Sequence, residues 1–445
     1  MSSLSDRIRG IVAPAQSATG NPQSNPQSNP QSAIRNPQCG DVAAVLGGEW
    51  RGSTCVVERR TEPGARHGRE AVGTLAECLD ESAREAALYT GLAESHAPAL
   101  SSSKGFVFFD LETTGLSGGA GTQAFLVGTG WFDADGAFGT RQFLLTRYAD
   151  ERPMLDAVAA ELAGARTLVS FNGKSFDAPM LETRYLFHRA SWNGRELPHL
   201  DVLHPARRFW KRARMSEEAR AVQASDDCSL GALEKQVLGV RRSGDVPSFE
   251  VPRRYFQFVR SGDARPLAAV LDHNRLDLLS LAALTARLLH LTRMGPESAQ
   301  DAREALGLGF VYARAALHER ARDAFTRAVE MTDRGAVNQA VRIESLRALA
   351  LAHRRARQYA AAAAAWRRLV DAPGCPPRVV REATEALAIH HEHRDRDLET
   401  AKTFALLGLD LEVDAQPAWT QSVHHRLARL DRKLKISEQR TSLLS

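Results

Sequence analysis

Cysteine is scarce in this chain: five in 445 residues, at Cys39, Cys55, Cys78, Cys228 and Cys375. No CxxC pair and no close Cys/His spacing occurs, which argues against a disulfide framework and against a cysteine-based zinc site. An odd number in a long chain fits a reducing compartment. Long apolar runs are also missing, since no stretch comes near the ~18 uninterrupted apolar residues of a membrane span. The opening MSSLSDRIRGIVAP lacks the apolar core of a secretory signal. The expectation is a cytoplasmic protein with no membrane partner. Charge of one sign is not dominant either: 58 Lys and Arg face 53 Asp and Glu, for a net charge of +5. That mild basic excess suits an anionic partner such as nucleic acid without specifying one. At roughly 100–200 residues per domain, the length implies two to four domains.

The N-terminal 1–39 reads as a short helix over 2–13 and a linker built on the fourfold-spaced NPQSNPQSNPQS of 21–32. Proline and polar residues alone bury no core, so this stretch is expected to be disordered. Residues 40–103 read as an extension of mixed strands and helix, with a strand pair in GEWRGSTCVVERR. From 104 to 293 strands and helices alternate, which predicts an α/β domain. KGFVFFDLE is a strand, and AFLVGTGWFDADGAFGTRQFLL a hairpin turning at Asp135-Gly136. ERPMLDAVAAELAG is a helix, TLVSFNG a strand and FDAPMLETRYLFHR a helix. A long helix starting at Pro266 closes the domain.

Within that frame, Asp110 and Glu112 of FVFFDLETTGL fall on one strand face, because successive strand residues point to opposite sides. Two neighbouring carboxylates repel each other and desolvate poorly. Each needs a basic partner, full exposure, or a shared hard cation. FNGKSFDAP puts Asp177 at the start of a helix, where an Asp is by itself a good cap. DHNRLD puts His273 and Asp277 four residues apart, on one helix face. Each feature alone has an ordinary structural explanation. Together they supply four carboxylates and a histidine, a donor set suited to two-metal phosphoryl chemistry.

With these three motifs in order, the chain resembles the DEDD (DnaQ-like) 3′–5′ exonuclease superfamily, and within it the YprB-like ribonuclease-H-like proteins. The motifs are DLETTGL (110–116), NGKSFDAPML (172–181) and HNRLD (273–277), and the resemblance covers about 104–292. It implies a mixed central sheet flanked by helices. It also implies metal-dependent 3′–5′ exonuclease activity on DNA or RNA, with two Mg²⁺ or Mn²⁺ ions held by Asp110, Glu112, Asp177 and Asp277. His273 would orient or deprotonate the attacking water. The superfamily has a tyrosine at this spacing in one branch, and here the residue is His. Thr113, Gly115, Asn172, Lys174 and Asp201 are further candidates for substrate binding. Gly118 and Gly119 form either a loop near substrate or a plain turn. Arg207, Arg208, Lys211 and Arg212 are either phosphate contacts or a solvated helix face.

From 300 to 436 the sequence is rich in Ala, Leu and Arg, and helical. Ala321, Ala362 and Ala401 recur with spacings of 41 and 39, and bulky residues follow the first two. This resembles the tetratricopeptide pattern, although the usual period is ~34; a plain helical bundle is the other reading. The histidine-rich HHEHRD (390–395) reads as a polar helix end. The alternative to a nuclease is a nuclease-fold scaffold whose repeats bind a protein. A third option is an endonuclease on RNA–DNA hybrids, since fold alone does not fix activity.

Overall fold

A computed structural model describes residues 39–90, 104–115, 121–211, 228–334, 339–410 and 417–442. The chain divides into two units, Met1–Asn36 and Pro37–Ser445, and the described residues belong to the second. The expected helix at 2–13, the NPQS stretch, Arg212, Gly118 and Gly119 lie outside the described residues.

Helix α1 (Cys39–Leu46) leads into β1 (Glu49–Arg51) and β2 (Thr54–Thr61). The small ribbon β3 (Arg66–His67) and β4 (Glu70–Ala71) comes next, followed by α2 (Val72–Glu81) and α3 (Ala87–Thr90). Then come β5 (Lys104–Thr113), β6 (Ala124–Phe132), β7 (Phe138–Leu144), α4 (Glu151–Leu162) and β8 (Ala165–Ser170). The domain continues with α5 (Asp177–Phe187), β9 (His199–Asp201), α6 (Leu203–Trp210) and the single turn α7 (Leu230–Leu233), which a π turn extends to Leu238. It closes with α8 (Val251–Ser261) and the 30-residue α9 (Arg265–Met294). Among the described residues, seven strands form one sheet in the order β1-β2-β7-β6-β5-β8-β9. The β5–β8–β9 edge is parallel and the rest antiparallel, so the sheet is mixed. Two strands from the 40–103 stretch join this sheet rather than forming a separate layer.

β5 lies inside the sheet because FVFF has no polar atom to present to water. Val107, Phe108 and Phe109 are fully buried. Val107, Phe109 and Leu111 belong to one hydrophobic core; Phe108 belongs to another, where it meets Phe132 and Phe138 edge-on or tilted. Helix α9 serves both cores. It gives Leu267, Val270 and Leu271 to the first and most of Leu278–Leu291 to the second. Between them, residues 272–277 are polar except for Leu276. This polar break faces the C-terminal end of β5.

Beyond Met294 the described residues form helices and the turns between them. Three hairpins follow: α10 (Ala302–Arg314) with α11 (His318–Arg334), α12 (Gln339–Arg355) with α13 (Tyr359–Val370), and α14 (Pro377–His390) with α15 (Leu398–Leu409). The last helix is α16 (Pro417–Ser442). Each hairpin turn holds one non-glycine residue at positive φ: Ala316, Arg357 and Arg396. Their separations are the same 41 and 39 as those of the alanines. HHEHRD ends α14 in a π turn, where the buried Glu392 takes Arg426, Arg429 and Lys433 from α16.

The first hairpin is seated on the sheet domain. Trp210 Nε1 donates to Glu304 Oε1 at 2.9 Å, and Arg287 reaches the same carboxylate at 2.8 Å. A Cβ on Gly307 would stand 2.9 Å from the Phe209 ring. Gly307→Val is therefore expected to lower unfolding stability by about 1–3 kcal/mol through overpacking. A urea titration against wild type checks this, and an unchanged midpoint would contradict the packing.

Candidate active site

Asp110, Gly128 and Gln142 form a row across three strands, paired Asp110↔Gly128 and Gly128↔Gln142. The missing side chain at Gly128 opens a slot, and Asn274 from α9 fills it. A Cβ there would sit 2.0 Å from Asn274 Oδ1. The fully buried Asn274 accepts from Gln142 Nε2 at 2.9 Å and donates to Asp110 Oδ2 at 2.9 Å. Gln142 also donates to the Leu271 carbonyl at 2.7 Å. One amide relay thus fixes the Asp110 carboxylate to the helix that carries His273 and Asp277. Glu112 follows two residues along β5, before a register shift between Glu112 and Thr113.

Asp177 arrives from the turn after β8. Asn172 there is left-handed, at φ 67°. Asp201 at the end of β9 holds this turn: its carboxylate accepts from the backbone N–H of Asn172 (2.8 Å), Lys174 (3.1 Å) and Leu203 (3.1 Å). Gly173 lies beneath Asp177; a Cβ on it would stand 3.0 Å from Asp177 Oδ2. Asp177 is the first residue of α5, and Phe176 holds the cap position.

The carboxylates act on one another. Burial, then Asp277, Glu112 and Asp177, raise the Asp110 carboxyl well above the usual range, against the Asn274 hydrogen bond. Glu112 is pushed up to about 8 by burial and then by Asp277, Asp177 and Asp245. Asp177 is pushed up to about 7 by burial and then by Asp201. Burial raises Asp277 too, although Arg242 and His273 oppose the shift.

Asp277 has a partner that the sequence did not announce. Arg242 pairs with Asp277, Glu234 and Asp245. His273 Nδ1 bonds to Asp245 Oδ1 at 2.7 Å, and its Nε2 lies 3.5 Å from Asp277 Oδ2. Both ring nitrogens therefore face carboxylates. None of Asp110, Glu112 and Asp177 pairs with a Lys or Arg among the described residues. Also among the described residues, no three His, Cys, Asp or Glu side chains stand close enough to hold a metal ion. The donor chemistry fits a hard divalent cation, because this is a self-repelling oxygen set with one cationic neighbour. The present side-chain positions are those of a set tied to Asn274 and Arg242 instead.

The remaining sequence candidates differ in exposure. Lys174 and Asn172 are exposed, as are Arg207, Arg208 and Lys211 at the end of α6. Thr113 spends its hydroxyl on the Gly115 carbonyl at 2.9 Å. Sequence reasoning missed Asn274, Gln142, Gly128, Arg242 and Asp245. Asn274 sits inside the HNRLD motif, and Gln142 is a lone amide in an otherwise apolar strand end, so both left a trace. Arg242 and Asp245 lie in irregular chain and left none.

Residues 107–289 match the model of the RNase_H superfamily, a span that contains all four carboxylates and His273. The fold is ribonuclease-H-like. The chain is also similar to a protein of Bacillus subtilis (strain 168) named as the uncharacterized protein YprB. The two are 29% identical over 328 residues, which is 73% of this chain and 74% of that one. At the level of the superfamily, such a domain supports a nucleic-acid-processing hydrolase. No helix among the described residues is long and apolar enough to cross a membrane.

The raised acids make stability depend on pH. Glu112, at ~4.3 when unfolded, has a raised folded pKa. Its protonated form therefore stabilises the fold fully below pH ~4.3, and that contribution is lost as pH rises toward about 8. In metal-free buffer, wild type should lose more stability than Glu112→Gln between pH 5 and 8. Urea midpoints at several pH values test this, and parallel curves would refute it. Gly128→Ala should cost about 1–3 kcal/mol by expelling Asn274, also read from the urea midpoint.

Proposed function

We propose that this protein is a divalent-metal-dependent nuclease that removes nucleotides from the 3′ end of a nucleic-acid strand. The observation that carries the reading is the gathering of Asp110, Glu112 and Asp177, each raised first by burial and then by other carboxylates, with no Lys or Arg paired to them among the described residues. Four acids gathered from a strand and two helices gain nothing structurally from that arrangement. Asp110, Glu112, Asp177 and Asp277 would hold two Mg²⁺ or Mn²⁺ ions. When bound, such ions stabilise the attacking and leaving oxygens of a phosphodiester.

The chain's own residues then have distinct tasks. Asn274 and Gln142 orient Asp110. Asp201 holds the turn that delivers Asp177, so it acts as a positioning residue. Asp245 fixes the His273 ring through Nδ1, which leaves Nε2 facing the acidic cluster as the atom that takes a proton from the attacking water. Lys174, exposed on the 172–174 turn that precedes Asp177, is a candidate for a phosphate contact.

One observation favours the scaffold reading. Arg242 already balances Asp277 within a closed network of Glu234, Asp245 and His273. The two readings separate in a single experiment with 5′-labelled single-stranded DNA and RNA, in chelator, Mg²⁺ or Mn²⁺. A nuclease gives metal-dependent shortening from the 3′ end that Asp110→Ala reduces to background. Intact substrate in every condition with wild type would favour the scaffold. Cleavage of circular strands would replace the exonuclease with an endonuclease.

A further inference from the structure

The net charge is not spread along the chain. Residues 1–300 hold 34 Lys and Arg and 34 Asp and Glu, whereas residues 301–445 hold 24 and 19. The whole surplus of +5 lies in the helical tail, and 21 of those 24 cations are arginine.

Part of that surplus is ordered by the hairpin geometry. The turn between α10 and α11 follows Arg314. The turn between α12 and α13 carries Arg354, Arg355 and Arg357, and the turn between α14 and α15 carries Arg394 and Arg396. Relative to the three positive-φ residues, Arg314, Arg355 and Arg394 occupy the same position, two residues earlier. Arg357 and Arg396 are themselves equivalent. The first two turns close with matching backbone bonds, Leu317 N–H to Tyr312 O and Gln358 N–H to His353 O, and the third with a bond one residue wider, Asp397 N–H to His391 O, after the π turn. The Arg394 guanidinium lies 4.0 Å from the Tyr359 ring centre at the start of α13, which places the second and third turns side by side. All six arginines are exposed, and none pairs with an acid among the described residues. The acids nearby are engaged or few. Asp395 faces His390 and His391, and Asp397 caps α15 through Thr400, which leaves Glu319 and Glu399.

We propose that this arginine edge is a track for the phosphate backbone of a nucleic-acid strand. The proposal deepens the nuclease reading by naming what the tail holds, yet binding can be measured without hydrolysis. An acidic centre repels a polyanion, and a charge-balanced sheet domain does not offset that repulsion. Affinity must come from cations elsewhere, and the tail has them. Guanidinium groups repeating in register suit evenly spaced phosphates, each of which they can grip by two hydrogen bonds. An acidic protein surface offers no such regular spacing.

The experiment is fluorescence anisotropy of the full chain in chelator, with a labelled single-stranded DNA or RNA oligonucleotide at several salt concentrations. Arg355→Glu/Arg357→Glu/Arg394→Glu should weaken binding by about tenfold or more. With three phosphates no longer neutralised, the slope of log affinity against log salt should fall by about 2. Should the charge reversal impair folding, the Gln triple variant at the same positions should show the same salt slope. Unchanged affinity and slope in a folded variant would overturn the proposal, whatever Asp110→Ala does to cleavage. Equal competition by polyglutamate at matched charge would overturn it in favour of an acidic protein partner.

Discussion

The amide of Asn274 lies over Gly128 and touches Asp110, and the arrangement of the acidic centre depends on that contact. It joins three strands to one helix at the point where the helix passes between two hydrophobic cores. A buried amide must satisfy its donors and acceptor or forfeit roughly 1–3 kcal/mol. Gln142 and Asp110 provide that satisfaction, so the position of the Asp110 carboxylate is enforced by the needs of a neighbouring amide. The bare backbone at Gly128 is what makes room; any side chain at 128 would have to displace the amide first.

Around this fixed point the electrostatics are unbalanced. Asp110, Glu112 and Asp177 lean toward the protonated state, while Asp277 is drawn into the Arg242 network and keeps a counter-charge. The site therefore has two halves: one on β5 and the start of α5 that is short of positive charge, the other on α9 and compensated. His273 stands between Asp245 and Asp277, in the compensated half.

Much of this was legible in the sequence, for identifiable reasons. FVFF followed by an acid-apolar-acid triplet implied both the buried strand and the shared face of Asp110 and Glu112. The hairpin at Asp135-Gly136 and the long helix from Pro266 follow from turn and helix-start chemistry, and both occur where expected. The spacings of 41 and 39 reappear in the hairpin turns because small residues and turn residues share one period. What stayed hidden was the supporting polar layer. Asn274 and Gln142 matter through a contact between residues 132 positions apart, which no local pattern encodes. Arg242 and Asp245 lie outside any periodic segment. Asp201 reads as a strand-end acid in sequence, and only the fold reveals that it grips the turn carrying Asn172 and Lys174.

The seating of Gly307 on Phe209, with Glu304 shared by Trp210 and Arg287, has a consequence for how the chain can be taken apart. The tail is not a cassette. One continuous core runs from Phe108 and Phe209 through Leu308 and Phe325 to Trp366 and Leu387. A cut after Met294 would leave the aromatic floor of α6 and the flank of α9 open to water, and would strip the first hairpin of its wall. Swapping tails between related proteins would therefore require the α6 surface to travel with them.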